Sequence, residues 1–203
     1  MVREYTLFSS LTSPYGRKVR MAVNHLELAS NVRVVHADTL DPEDELRRVN
    51  PLGKIPALVP AGGHAIYDSK VIVDYLDGRY GQGNIVPREI IKRTRFMTLA
   101  TLADGLTDAL LLITYESRFR GTDAHGERWL SHQHGKLDRG FAEVLSVLDE
   151  FTTPSLPALA LSCALGYADW RQQIDWRSRY PSLVKWLEKF RDEFPEFDKT
   201  KAT

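Results

Sequence analysis

The stretch Asn50-Pro51-Leu52-Gly53-Lys54-Ile55-Pro56-Ala57-Leu58-Val59 constrains this chain more than any other segment of its length. An apolar run that begins at a proline predicts a strand whose first residue has no N–H to give to a ladder. A cis bond before Pro56 would turn the backbone of Lys54 and Ile55 outward, toward a ligand. Soon after comes Ile66-Tyr67-Asp68-Ser69, an acid and a hydroxyl where an apolar strand gives way to a helix over 71–80. At such a junction the Ser69 hydroxyl and the first free N–H groups can hold a carboxylate. Together the two stretches predict a pocket for a short, extended, charged peptide.

The rest of the first half alternates strand and helix signals. Residues 5–8 form a short apolar run ending in the loop 9–13, and Pro14 stands where a first-turn proline belongs. Val19, Ala22, Val23 and Leu26 then recur at helical spacing. Residues 32–35 read as a second strand, parallel to the first through a right-handed crossover. Asp41-Pro42-Glu43 predicts a short acidic helix with Asp41 at its N-cap. Residues 57–59 and 64–67 flank the turn-rich Pro60-Ala61-Gly62-Gly63 and predict a hairpin. The expected product is a four-stranded mixed sheet covered by helices, over residues 1–80. Gly81-Gln82-Gly83-Asn84 opens an expected linker, 81–87. Beyond it, 90–118, 127–151, 155–171 and 181–194 read as helices, which makes 88–203 an all-α domain.

Bulk composition excludes several classes of partner. Lysines and arginines number 27, as do aspartates and glutamates, so no global field favours nucleic acid or an anionic membrane. Apolar stretches such as 158–165 are too short to span a bilayer, and residues 1–8 lack a signal-peptide core. The single cysteine, Cys163, excludes an internal disulfide framework and a multi-cysteine zinc site, and it falls in an apolar helix where an inert core thiol is expected. A cytoplasmic protein is the expectation.

Three motifs in order, Ser13-Pro14-Tyr15-Gly16-Arg17-Lys18-Val19, Asn50-Pro51-Leu52-Gly53-Lys54-Ile55-Pro56 and Tyr67-Asp68-Ser69, followed by an all-α half, resemble the cytosolic glutathione S-transferases over residues 5–197. The resemblance implies a thioredoxin-like N-terminal domain that binds glutathione, a helical C-terminal domain that supplies the second-substrate pocket, and a homodimer. It assigns the Ile55 backbone to the cysteinyl part of glutathione, with Pro56 as the cis-proline that permits this. Asp68 falls near the γ-glutamyl ammonium and Ser69 at its carboxylate. Lys54, His36 or Lys18 would reach the glycyl carboxylate. Tyr115 and Phe119 would line the electrophile pocket, together with Trp170, unless these aromatics are helix-packing core.

The implied chemistry turns on one hydroxyl. A free thiol of this kind has a pKa near ~8.5, so little is thiolate at neutral pH. A hydroxyl at a helix start can stabilise the anion, and lowering that pKa by about two units corresponds to roughly 2.7 kcal/mol. Ser13 stands where serine-type members similar to the tau class carry that hydroxyl; Thr12 and then Ser10 are the alternatives, and Ser13 could instead be a simple cap. Tyr5 lies too deep in the first strand to act as a tyrosine-type activator. The implied reaction is conjugation of glutathione to small apolar electrophiles. Isomerisation, peroxide reduction, dehalogenation and non-enzymatic interaction on the same fold are the competing readings.

Arg17 and Lys18 read either as attractors for carboxylates or as the solvated face of an amphipathic helix. His125, His132, His134 and Asp138 do not assemble a convincing ligand set, so no metal is expected. Ser155 can cap the helix that follows, but Ala158 lacks the carboxylate that would complete a capping box.

Overall fold

The computed structural model describes residues 4–120 and 124–202. The chain forms two compact units: the first runs to Arg93 and takes back the chain from Pro195 onward, and the second is Thr94–Phe194.

In the first unit, β1 (Tyr5–Ser9) lies between β2 (Val32–His36) and β3 (Ala57–Pro60). β1 runs parallel to β2, from Tyr5 opposite Val32 to Ser9 opposite His36, and antiparallel to β3, from Tyr5 opposite Pro60 to Phe8 opposite Ala57. The crossover is α1 (Pro14–His25), which buries Val19, Met21, Ala22 and Val23. It packs against α3 (Ser69–Leu76), whose Ile72, Val73 and Leu76 are likewise buried. A second apolar cluster joins Phe8, Ala37, Ala57 and Leu46, the last from α2 (Leu46–Val49), and Ile55 packs its side chain against it.

The sheet has three strands rather than the expected four. The fourth is reduced to one antiparallel bridge, in which Leu58 and Ile66 exchange N–H···O bonds of 2.9 and 2.8 Å. The flanking prolines account for this. The next hydrogen-bonding positions on either side of Leu58 are 56 and 60, and neither Pro56 nor Pro60 has an N–H to give. The expected acidic helix is also displaced. Asp41 accepts the Glu43 N–H in a local turn, and it is Asp44 that accepts the Leu46 N–H at 2.8 Å where α2 begins.

The expected linker at 81–87 is part of the first unit. The buried Asp77 carboxylate, in a π-turn that follows α3, accepts the N–H groups of Ile85 (3.1 Å) and Val86 (2.8 Å), and both of those side chains are buried. Arg93 then closes on Asp74 of α3 with bonds of 2.7 and 2.5 Å.

The second unit is helical, as expected. It contains α4 (Ile90–Phe119) from Thr94 on, α5 (Ala124–Ser146), α6 (Leu156–Arg171), the short α7 (Trp176–Arg179) and α8 (Pro181–Glu193). α6 is the core helix, apolar and buried over most of its length, Cys163 included. Ser155 caps it by accepting the Ala158 N–H at 3.2 Å, and Ala158 is itself fully enclosed. α4 is apolar and long enough to cross a membrane by length and composition, but half of that stretch is buried within the protein, as in a core helix.

The C-terminal return carries α9 (Glu196–Lys199) and is fastened by Arg17. The Arg17 guanidinium lies 3.8 Å from the Phe197 ring centroid and donates to the Phe197 carbonyl at 2.6 Å and to Thr200 Oγ1 at 3.4 Å. Arg17 is therefore not on a solvated face. Charge-assisted hydrogen bonds of this kind contribute roughly 1.5–3 kcal/mol. Arg17→Ala is expected to lower stability by about that amount and to speed amide exchange across 196–200 well before that of α6, which hydrogen-exchange mass spectrometry would read directly.

Candidate functional site

The chain leaves β1 at Ser9 and reaches α1 through residues 10–13. Ser13 is half-buried and extended (φ −78°, ψ 121°), and its Oγ accepts the Gly16 N–H at 3.0 Å. It is thus an N-cap, but a cap spends a lone pair and not the hydroxyl proton. Ser13 Oγ makes no other hydrogen bond among the described residues, which leaves that proton available to an incoming acceptor. Thr12 is exposed, its Oγ1 3.3 Å from Ser10 Oγ. Close packing fixes this corner. A Cβ on Gly16 would sit 2.2 Å from the buried Ser9 Oγ and 3.3 Å from Ser13 Cβ.

The loop before β3 is built by Asn50. Its Nδ2 donates to the Lys54 carbonyl at 2.8 Å, its Oδ1 accepts the Leu52 N–H at 3.1 Å, and its own carbonyl accepts the Gly53 N–H at 2.8 Å. Gly53 takes φ +60°, a conformation that favours glycine. The Ile55–Pro56 peptide bond is cis. Ile55 packs its side chain against the core cluster, while its backbone N–H and C=O have no hydrogen-bond partner among the described residues. A donor and an acceptor held side by side on an anchored, half-buried residue form an open edge for an extended chain.

At the start of α3, the exposed Asp68 is the N-cap and accepts the Lys70 N–H at 3.0 Å. Ser69 is 2% exposed, and its Oγ accepts from Lys18 Nζ at 3.0 Å. The Ser69 N–H makes no hydrogen bond among the described residues. Lys18 is 0% exposed. It is therefore not part of a solvated face.

Strand register gathers these pieces at the C-terminal end of β1. Phe8 pairs with Ala57, so Pro56 and Ile55 lie beyond the same end from which residues 10–13 depart. The Leu58–Ile66 bridge holds the segment that leads into α3 beside β3, and Lys18 ties α1 to Ser69. Lys54 is exposed, and His36 is exposed at the matching end of β2, beside Ser9. Tyr5 lies at the opposite end of β1. Its hydroxyl is 2.8 Å from that of Tyr80 and 3.3 Å from that of Tyr75. Burial, with those two hydrogen bonds, pushes its phenol above the ordinary tyrosine range. It is engaged as a structural tyrosine, in keeping with its place in the strand.

Within the second unit, Tyr115 and Phe119 meet edge to face on α4 at 5.4 Å between centroids. Tyr115 is half-buried and Phe119 is 57% exposed, so the pair is not interior core. Trp170 is partly exposed too, with Arg171 3.9 Å from its ring centroid. His125 lies outside the residues whose side chains are described. Asp138, one turn from His134, is engaged by Arg179 at 2.7 Å, and no group of three or more metal-ligating side chains occurs among the described residues.

Sequence reasoning missed the destination of Lys18, although a signal existed. Pro14, Lys18, Met21 and Ala22 fall on one helical row, and the other three are all buried.

Residues 7–84 match the glutathione S-transferase N-terminal domain. A glutathione transferase family member from Pseudomonas fluorescens Pf-5, solved with bound glutathione, is 36% identical over 98% of this chain and 99% of its own, with a TM-score of 0.90. The chain belongs to the glutathione transferase family. A glutathione S-transferase from Methylobacillus flagellatus KT, also solved with glutathione, is 32% identical over 98% of this chain and 100% of its own, with a TM-score of 0.87. The Escherichia coli K12 protein described as an uncharacterized GST-like protein, YibF, is 29% identical over 97% of this chain and 99% of its own.

As in the family, the N-terminal unit is a small mixed sheet with helices packed on it and the other unit is helical. The corner at Gly16 can be tested directly. Overpacking of this kind costs roughly 1–3 kcal/mol. Gly16→Ala is expected to lower the melting temperature, and the added Ser9→Ala, which removes the Oγ in the way, should recover part of the loss.

Proposed function

We propose that the chain is a serine-type glutathione transferase in which glutathione runs along the Ile55 edge. The reading is carried by Ile55, whose side chain packs against the core cluster while its backbone N–H and C=O have no hydrogen-bond partner among the described residues, next to a cis-proline. A cysteinyl residue has the complementary pair of groups. The γ-glutamyl end then meets the start of α3, with its carboxylate at the Ser69 N–H and hydroxyl and its ammonium near Asp68. The glycyl end falls to Lys54 or His36.

The thiol reaches the start of α1. Ser13 donates its hydroxyl proton to the sulfur while continuing to accept from Gly16, and accepting that bond makes it a better donor. The thiol proton passes to solvent. The thiolate attacks an electrophilic carbon, the C–S bond forms, and a leaving group such as chloride departs with its electron pair. We assign Tyr115 and Phe119 to the electrophile on the strength of the family resemblance. Assembly as a homodimer and a cytosolic setting are carried over in the same way.

The protein is expected to bind immobilised glutathione and to conjugate it to 1-chloro-2,4-dinitrobenzene. Ser13→Ala should lose most of the turnover, on the order of a hundredfold, with glutathione affinity kept, whereas Thr12→Ala should stay near wild type. The reverse pattern would move the role to Thr12. Glutathione-dependent turnover of an isomerisable substrate, a peroxide or an alkyl halide in place of the aryl chloride would keep the thiolate and change the reaction. Absence of glutathione binding by calorimetry would favour a non-enzymatic interaction protein.

A further inference from the structure

We infer that Lys18 is a positioning residue for the γ-glutamyl carboxylate, acting from inside the fold through the Ser69 hydroxyl. The inference rests on the proposed placement of glutathione and assigns to that site a residue that need not touch the ligand.

Lys18 is fully enclosed, and its Nζ lies 3.0 Å from Ser69 Oγ, itself 2% exposed. An ammonium has donors only, so the bond between them runs from Lys18 to Ser69. Ser69 Oγ therefore receives a proton from the interior, and its own O–H is left to point elsewhere. The adjoining Ser69 N–H has no partner among the described residues and opens a helix of eight residues. Both remaining donors of Ser69 are thus suited to an anion, and a cation stands one hydrogen bond behind them. Asp68, the acid beside them, is exposed and accepts the Lys70 N–H. A lysine used only to join α1 to α3 would need its hydrogen bond. A lysine used to attract a carboxylate needs its charge as well. Low-dielectric surroundings make that charge count at a distance of one intervening hydroxyl.

The charge and the hydrogen bond can be separated. Lys18→Gln keeps a donor for Ser69 and loses the charge, Lys18→Met loses both, and Lys18→Arg keeps both. Each is titrated calorimetrically with glutathione, with glutathione esterified at its glycyl carboxylate, and with 4-aminobutyryl-cysteinyl-glycine, which lacks the γ-glutamyl carboxylate. Lys18→Gln and Lys18→Met are expected to weaken glutathione and its glycyl ester by roughly tenfold to a hundredfold. Binding of the 4-aminobutyryl analogue should change less than threefold, and Lys18→Arg should recover most of the affinity. An equal loss on all three ligands, or wild-type affinity for glutathione in Lys18→Gln, would overturn the inference and leave the proposed function standing. Should Lys18→Met fail to fold, the Gln variant alone decides. Wild-type protein that binds none of the three would overturn the proposed function, and this inference with it.

Discussion

β1 is the constraint on which the first unit depends. It is hydrogen-bonded along both edges, to a parallel strand on one side and an antiparallel strand on the other, and Tyr5, Leu7, Phe8 and Ser9 are all buried. A strand held in this way has one direction, and its C-terminal end must be where α1 begins. Antiparallel pairing brings the start of β3 to that same end. The single bridge from Leu58 to Ile66 then delivers the start of α3 beside it. Three segments separated by tens of residues in sequence meet because one central strand leaves them no other register.

At that meeting point two serines share a device. Ser13 Oγ accepts from the Gly16 backbone, and Ser69 Oγ accepts from the Lys18 ammonium. In both, the protein satisfies the oxygen from within and leaves the hydroxyl proton for something else. Hydroxyls suit this duty because they accept and donate at once; a carboxylate in either place could only accept. On the proposed reading, capping and function are not alternatives at Ser13. The cap holds the oxygen still, and a donor held still costs no reorganisation when charge develops on an acceptor. Ile55 follows the same logic with its backbone, its side chain packed against the core cluster so that its peptide groups keep their place.

Much of this was legible in the sequence. The order of elements, the proline-led strand and the helix that opens at Ser69 follow from local chemistry, since prolines, caps and helical periodicity act within a few residues. What was not legible depends on distant partners. The fate of residues 81–87 turns on Asp77, whose carboxylate collects two backbone N–H groups across the turn. The strand at 64–67 carried the right residue types but lost its ladder because Pro56 and Pro60 occupy the two neighbouring positions where a donor was required. That reason becomes visible only once the register is known. The return of the chain from Pro195 onward has no local signal at all, because it is fixed by a side chain from the first helix.

That side chain and its neighbour show how little residue type says about destination. Arg17 and Lys18 are adjacent cations near the start of one helix, and successive positions on a helix point about 100° apart. One row faces α9, where a planar guanidinium can lie on the Phe197 ring and reach a carbonyl at 2.6 Å. The other faces α3, where a compact ammonium fits against a serine oxygen at 3.0 Å. The stacked site draws on the flat fork of arginine, which covers a ring and donates in its own plane at once, whereas the serine site asks for a charged donor within reach of one oxygen. Each cation is buried against a different partner, one closing the C-terminal return onto α1 and the other joining α1 to the start of α3. A pair that reads in sequence either as carboxylate attractors or as a solvated stripe is thus sent to two separate partners by the pitch of the helix that carries it.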